Sequence, residues 1–488
     1  MEPRSDRECP TTREKALRIN LDRRRYGNFA EIGAGQEVVR WFFQVGGAAG
    51  TIAKSISAYD MRVSDDMYGP AARYVSRDRL ESMLDREHDM LLARLGPGRG
   101  AETDFFTFAD TVAARNHLGT NECHGWMGIQ FQSTPGSAPS RIVVHVRMLD
   151  RDNVSQQQAL GVVGVNLIHG ALYQFGDPDE LMRSLLDDLT PDRIEIDMIR
   201  FSGPEFRSLD HRLLSLKLVQ LGLSDAAMFS AAGEVLQPSE ALHKKPILVE
   251  RGSFRPVTLT NLDMLRAARR QFAGHVAAGG PGSGESEIVT LMELTMRDLR
   301  STSPVGGEID YDDFLARADV LATTGATVLI SNYYEFHRLA SYLRRYTKRP
   351  IGVPLGVPTL IELFDERAYE DLEGGLLEAL GRLFRNDLKL YVHPLFDAAA
   401  ARIVTADDLE LPLQHQALYE HLRRNGYVEG IEGYDPEHLR YFPQDVLRKL
   451  AERDPTWEAM VPPAVAAHIK EHALFGYRRP DAAGGPGA

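Results

Sequence analysis

The stretch PILVERGSFRPVTLTNLDMLRAARRQF, residues 246–272, determines the fold class that the sequence predicts. A short apolar run at 246–250 is followed by Gly252 and Pro256, which favour turns, and then by an amphipathic pattern from about Asn261. The pattern predicts a strand, a tight loop and a helix in direct succession. In parallel α/β sheets such a loop lies beyond the carboxyl end of the strand and leads into a helix N-terminus, where phosphate groups bind.

The same alternation of strand and helix extends over the middle of the chain. Short apolar runs are predicted as strands at 141–148, 193–199, 226–229, 246–250, 287–294, 326–331, 350–355 and 388–393. Helical patterns lie between several of them, at 209–222, 261–272, 311–325 and 333–347. Because parallel neighbours need a long return connection, the pattern predicts an α/β fold with a mostly parallel sheet and crossover helices. Both a doubly wound open sheet and a (β/α)₈ barrel account for it.

The first 140 residues show a different pattern, which predicts an α+β region. Helical stretches precede a hairpin formed by WMGIQFQ (126–132) and RIVVHVR (141–147), joined by the turn-rich STPGSAPS. The predicted organisation is a flexible N-terminus at 1–15, an α+β region at 16–140, an α/β domain at 141–395 with a flexible loop at 278–287, a helical region at 396–478 and a disordered tail at 479–488.

Composition excludes several classes of protein. The chain has 488 residues, 43% of them hydrophobic, and a net charge of -13. An acidic balance of this size argues against a general binder of nucleic acid or of anionic membranes, because those partners require clustered Lys and Arg. The apolar run at 159–175 is too short and too polar to span a bilayer. With two cysteines and no signal-like N-terminal run, the sequence predicts a cytoplasmic protein.

Four residues of the opening stretch match a known signature. Gly252, Phe254, Pro256 and Thr258 fit the pattern Gly-x-Phe-x-Pro-x-(His/Thr)-x-x-His. The stretch therefore resembles the nucleotidylyltransferases and, within them, the nicotinate or nicotinamide mononucleotide adenylyltransferases. Asn261 stands where that family has its second histidine, which helps to stabilise the triphosphate in the transition state.

The resemblance implies adenylyl transfer from ATP, or binding of another nucleotide, with a pyridine mononucleotide as acceptor, as in NAD biosynthesis. It assigns the catalytic positions to Thr258 and Asn261 and implies Mg²⁺ to bridge the phosphates. ISNYYEFHR, residues 330–338, partly matches the second motif of the family, Ile-Ser-x-Thr-x-x-Arg. The ligand-binding residues that follow are Arg251, Gly252, Ser253, Phe254, Arg255, Pro256, Ser331 and Arg338.

Two other functions stay open at this point. The missing histidine favours a non-catalytic α/β scaffold or assembly protein that has kept the shape of the loop. A barrel enzyme of unknown substrate would act through Glu250, Glu293 and His393, all at strand ends. The segment NHLGTNECHGWMG, residues 116–128, brings two histidines and a cysteine close together but lacks the spacing of a zinc site, so the sequence predicts no protein-bound metal.

Overall fold

The chain divides into two compact units, Met1–Asp225 (unit 1) and Ala226–Ala488 (unit 2). The computed structural model describes residues 9–33, 35–278, 288–303 and 307–479. The loop predicted at 278–287 lies outside the described residues except for Ala278, and so does most of the predicted tail. Among the described residues, no helix is long and apolar enough to cross a lipid bilayer.

Unit 1 combines helices with one sheet. Its helices are α1 (Thr12–Leu21), α2 (Glu37–Val45), α3 (Met61–Tyr68), α4 (Arg77–Arg99), α5 (Asn153–Tyr173), α6 (Pro178–Ser184) and α7 (His211–Gln220). Its strands are β1 (Arg25–Gly33), β2 (Ile52–Ile56), β3 (Asp104–Ala113), β4 (His124–Phe131), β5 (Ser140–Met148) and β6 (Ile194–Ser202). Helix α1 begins inside the segment predicted to be flexible, because Thr11 and Glu14 form a capping box at its start.

The sheet of unit 1 has the strand order β2-β1-β3-β4-β5-β6. Strand β1 is parallel to β2 and β3, whereas β3 to β6 form an antiparallel ladder. The hairpin predicted at 126–132 and 141–147 is confirmed as β4 and β5. Residues of α1, α2 and α5, such as Ile19, Val38 and Val163, share one core with the sheet.

The division between the units lies at 225/226 and not at the predicted 140/141. The apolar runs at 141–148 and 193–199 form β5 and β6, which pair with each other antiparallel in the first sheet. A buried β-branched run has the same composition in a parallel and in an antiparallel sheet, so its long-range partner decides where it belongs. The predicted strand at 193–199 therefore does not belong to the mostly parallel sheet, because β6 pairs antiparallel with β5.

Unit 2 contains the predicted strand-helix alternation. Its strands are β7 (Ala226–Phe229), β8 (Val235–Leu236), β9 (Ile247–Arg251), β10 (Val289–Thr295), β11 (Thr327–Ser331), β12 (Ile351–Gly356), β13 (Leu388–His393), β14 (Leu395–Asp397), β15 (Arg402–Val404) and β16 (Val428–Gly430). Its helices are α8 (Pro238–Leu242), α9 (Leu259–Ala278), α10 (Met296–Ser301), α11 (Tyr311–Ala322), α12 (Phe336–Arg344), α13 (Val357–Leu363), α14 (Gly375–Leu383), α15 (Leu413–Arg424), α16 (Pro443–Glu452) and α17 (Pro463–His472).

The main sheet of unit 2 has the order β16-β13-β12-β9-β10-β11-β7-β8. The strands from β16 to β11 in this order are parallel, and only β7 and β8 run antiparallel. The predicted α/β fold with a mostly parallel sheet is therefore confirmed. Counted along the chain from β9, the parallel strands have the order 3-2-1-4-5-6, that of a doubly wound dinucleotide-binding sheet. In the described part of the chain the end strands, β16 and β8, have one neighbour each, as in an open sheet.

The strand order reverses between β9 and β12. These two strands pair only at Ile247–Ile351 and Leu248–Gly352, while β9 stays paired with β10 through Arg251. They therefore separate toward their carboxyl ends, where doubly wound sheets bind ligands. Helix α9 covers one face of the sheet, and α12 to α15 cover the other.

Candidate functional site

The loop at 252–258 joins β9 to α9 at the point where the strand order reverses. Thr258 and Asn261 form a reciprocal cap at the start of α9. The backbone N–H and Oγ1 of Thr258 donate to Asn261 Oδ1 at 3.0 and 2.9 Å, and the Asn261 N–H donates to Thr258 Oγ1 at 3.4 Å. A Cβ added to Gly252 would lie 2.9 Å from Cε1 of the buried Phe254 ring, so this ring packs directly under the glycine. The residues that match the family signature therefore also form a packed and hydrogen-bonded turn from strand to helix.

Arg251 holds the carboxyl ends of three strands together. Its Nε and one Nη donate to the two oxygens of Glu293 on β10, at 2.8 and 3.0 Å. Its Nη groups also donate to the carbonyls of Tyr333 and Tyr334. Ser331 at the end of β11 donates to Glu293 Oε1 at 2.6 Å. Arg251 and Ser331, both predicted to bind ligand, therefore make hydrogen bonds within the protein.

A second ion-pair cluster ties the loop to α11. Arg255 Nε donates to Asp313 Oδ1 at 2.6 Å, and the buried Arg317 donates to Asp313 Oδ2 through its Nε at 2.8 Å. Arg317 also donates to the carbonyl of Ser253 at 3.2 Å. The Nη groups of Arg255 make no hydrogen bond within the described residues, and its side chain is 20% exposed. Arg255 is thus the arginine of this loop that keeps donors for an anion.

Buried titratable groups lie on the α9 face of the same sheet edge. Glu250 is fully buried and accepts from Asn261 Nδ2 at 3.0 Å, and burial raises its pKa to about 8. Asp263 Oδ2 lies 3.6 Å from His393 Nε2 and accepts from the Asp435 N–H at 2.8 Å. Burial lowers the pKa of His393. We did not predict Asp263 as a site residue from the sequence, although a carboxylate at a core-facing position of the α9 pattern is unusual and can be seen there.

The residues of the barrel hypothesis do not form one site. Glu250 contacts Asn261 of α9, and His393 approaches Asp263 of the same helix. Glu293 projects to the opposite face, since side chains alternate along a strand and Glu293 pairs with Arg251 there. A common catalytic centre of Glu250, Glu293 and His393 is therefore excluded in this fold.

Arg338 lies on α12, which follows the carboxyl end of β11. Its side chain is 58% exposed and its Nη1 lies 3.6 Å from Glu335 Oε2, a distance typical of a weak surface pair. Of the predicted ligand-binding cations, Arg338 and Arg255 make few hydrogen bonds within the described residues, whereas Arg251 uses four of its five N–H groups.

The carboxylates near the loop do not fit a Mg²⁺ site. Mg²⁺ is usually held by one or two free carboxylates together with substrate phosphates. Glu293 and Asp313 are engaged by arginines, and the raised pKa of Glu250 keeps it largely protonated at neutral pH. Asp263 accepts from a backbone N–H and from Arg266. These four carboxylates are therefore engaged or protonated, and none of them suits Mg²⁺ as a ligand.

A cavity of about 420 Å³ lies elsewhere in unit 2. Its lining includes Glu362, Asp365, Glu366 and His415, and His415 Nε2 lies 2.9 Å from Glu366 Oε1. A lining with three carboxylates repels phosphate groups, so this cavity does not suit a nucleotide.

In unit 1, the half-buried His124 of the segment at 116–128 belongs to a chain of hydrogen-bonded polar side chains. His124 Nδ1 and His145 Nε2 share a hydrogen bond of 3.0 Å, and His145 Nδ1 bonds Asp197 Oδ1 at 2.6 Å. Burial lowers the pKa of His124 to about 4. The sequence missed this cluster because its members come from three different strands, which only the antiparallel ladder brings together.

Comparisons with known proteins give weak likenesses only. No family model matches the chain, and no curated protein matches it. The nicotinic acid mononucleotide adenylyltransferase of Plasmodium falciparum, solved with APC, is 11% identical over 48% of this chain and 98% of its own, with a TM-score of 0.29. A CinA superfamily protein from Enterobacter cloacae is 13% identical over 35% of this chain and 96% of its own, with a TM-score of 0.26. TM-scores this low carry no argument about fold or function.

Proposed function

We propose that unit 2 binds a nucleotide at the carboxyl edge of its main sheet, with the phosphates against the loop at 252–258. The observation that carries this proposal is the strand order, which reverses between β9 and β12 at this loop. Helix α9, which is 20 residues long, begins directly after the loop, so its N-terminal N–H groups and dipole favour a negative charge there. The free Nη groups of Arg255 add two charge-assisted donors.

Adenylyl transfer from ATP to a pyridine mononucleotide is the more specific form of the proposal, and it rests on the resemblance. A phosphate oxygen of the mononucleotide would form a bond to the α-phosphorus of ATP, and the bond from that phosphorus to the bridging oxygen would break to release pyrophosphate. Arg255 would orient the phosphates and offset their charge. Mg²⁺ would arrive as the counter-ion of the nucleotide, since Glu250, Glu293 and Asp313 are protonated or paired with arginines.

The side chain at Asn261 bears on whether unit 2 would transfer an adenylyl group or only bind the nucleotide. Its Oδ1 holds Thr258, and its Nδ2 donates to Glu250, so the side chain is largely committed to the corner. A histidine in the family supplies charge to the triphosphate, which a neutral amide cannot do. A scaffold that binds nucleotide without turning it over is therefore the second candidate function.

Arg255→Ala should weaken nucleotide binding about 10- to 100-fold, because one charge-assisted hydrogen bond contributes about 1.5–3 kcal/mol. The measurement is calorimetric titration with ATP, NAD and nicotinate mononucleotide. The matched control is Lys348→Ala, which removes an exposed cation just before β12, at the amino edge of the sheet. It should leave affinity unchanged. Melting temperatures of both variants separate binding from loss of the Arg255–Asp313 ion pair.

Three results decide between the candidate functions. If the unmutated chain binds no nucleotide at millimolar concentration, the proposal is wrong. Equal losses of nucleotide affinity in the Arg255 and Lys348 variants would indicate that the overall charge of the protein, and not a site at the loop, attracts the nucleotide. Binding with no dinucleotide or pyrophosphate formed from ATP, Mg²⁺ and nicotinate mononucleotide would support the scaffold.

A further inference from the structure

Helix α17 carries three potential metal ligands on one face. His468, Glu471 and His472 occupy positions i, i+3 and i+4, which lie next to one another on a helix surface. Val465 and Ile469 of the same helix are buried in the core, so they fix which face α17 turns inward. The three polar side chains therefore meet on the last turn, at the edge of the buried face.

The ligand atoms already lie close together. One atom each from His468, Glu471 and His472 lies within 4.8 Å of the others, and the two imidazole centroids are 4.3 Å apart. Two ligands at about 2.1 Å from one zinc ion are at most about 4.2 Å apart. His472 Nε2 and Glu471 Oε2 already meet this limit at 3.9 Å. Glu471 and His472 are exposed, so their side chains are free to rotate toward the half-buried His468.

One ring nitrogen of His468, Nε2, has no hydrogen-bond partner within the described residues. The atom is also shielded from solvent. A buried polar atom without a partner costs roughly 1–3 kcal/mol. The carbonyl end of a helix also favours a cation. Arg479 already places one cation at this helix end, because its guanidinium donates to the Glu471 carbonyl at 2.7 Å.

We propose that His468, Glu471 and His472 bind a divalent late first-row transition metal such as Zn²⁺. Two imidazoles and one carboxylate suit Zn²⁺, Co²⁺, Ni²⁺ or Cu²⁺ and disfavour Mg²⁺ and Ca²⁺, which prefer sets made of oxygen. Three protein ligands leave one coordination position open to water or to a further ligand. The site is independent of the nucleotide site, and its metal would bridge the last turn of α17.

The test is calorimetric titration of the full chain with Zn²⁺, in a Cys9→Ser background that removes the exposed thiol. His468→Gln and His472→Gln should each weaken Zn²⁺ binding by at least about tenfold, since loss of supporting groups alone costs 10–100-fold. Co²⁺ should give the visible absorption of a four-coordinate ion in the parent and lose it in both variants.

The matched control is His421→Gln on α15, where an exposed histidine faces Asn425 at the same spacing of four and offers a single imidazole. It should leave Zn²⁺ binding unchanged. A loss as large as that in the His468 variant, equal competition by Mg²⁺, or no Zn²⁺ binding at micromolar concentrations would each overturn the proposal. Far-UV circular dichroism of each variant checks that the fold is retained.

Discussion

Glu293→Gln should lower the free energy of unfolding of unit 2 by about 3–5 kcal/mol, the cost of removing one partner of a buried ion pair. Glu293 is fully buried and holds Arg251 through two hydrogen bonds. A glutamine keeps one acceptor oxygen but leaves the guanidinium charge without a counter-ion in a site shielded from water. Urea unfolding followed by far-UV circular dichroism measures the change.

Two further variants show that the effect comes from the buried charge. Arg448→Gln removes an exposed arginine of α16 and should cause no measurable change. Glu293→Leu combined with Arg251→Met should be less destabilised than Glu293→Leu alone, because the double variant removes both charges. If Glu293→Gln unfolds like the Arg448 variant, the ion pair does not hold the strand ends together.

This ion pair is an example of a contact that could not be predicted from the sequence, although the strands that carry it could. Each strand of unit 2 from β9 to β13 was visible as an apolar run, because burial on both faces demands one. The pairing of Arg251 with Glu293 was not, because the two residues are 42 positions apart and meet only when β9 and β10 lie side by side. In the sequence, an arginine that follows a strand cannot be assigned to a ligand phosphate or to a carboxylate of the protein itself.

The loop itself was predicted in position and only partly in its chemistry. Thr258 matches a family signature and Asn261 stands where that signature has its second histidine, yet the same two residues form a reciprocal cap at the start of α9. Asp263 and His393 come from a helix and a distant strand, so no local pattern relates them. The fold of unit 1 was predicted in part, since the β4–β5 hairpin was identified but β6 was assigned to the parallel sheet and not to its antiparallel partner β5.

Glu250→Gln should make the stability of unit 2 less dependent on pH. Burial raises the pKa of Glu250 to about 8 in the folded protein, against an ordinary value of 4.5. Between these two values the folded state holds a proton that the unfolded state has lost. Stability from this group is therefore full below about pH 4.5 and falls as pH rises toward 8, by on the order of 4 kcal/mol in total.

Comparison of two proteins isolates this contribution. Other titrating groups, including the buried Glu31 and Asp110 of unit 1, are the same in the parent and in Glu250→Gln and cancel in the difference. Glutamine keeps an oxygen for Asn261 Nδ2, and the cost of its unpaired amide N–H groups does not change with pH. The difference in unfolding free energy, variant minus parent, should therefore increase by several kcal/mol from pH 5 to pH 8.5.

Val249→Ala provides the control for this experiment. It removes apolar contacts of the neighbouring, fully buried residue on β9 and introduces no titrating group, so its destabilisation should be the same at every pH. Urea unfolding at pH 5, 6, 7, 8 and 8.5 measures all three proteins. A constant difference between Glu250→Gln and the parent over this range would mean that Glu250 is ionised in the folded state. The carboxyl group beside Asn261 would then carry a full negative charge toward the loop, which would oppose nucleotide binding there.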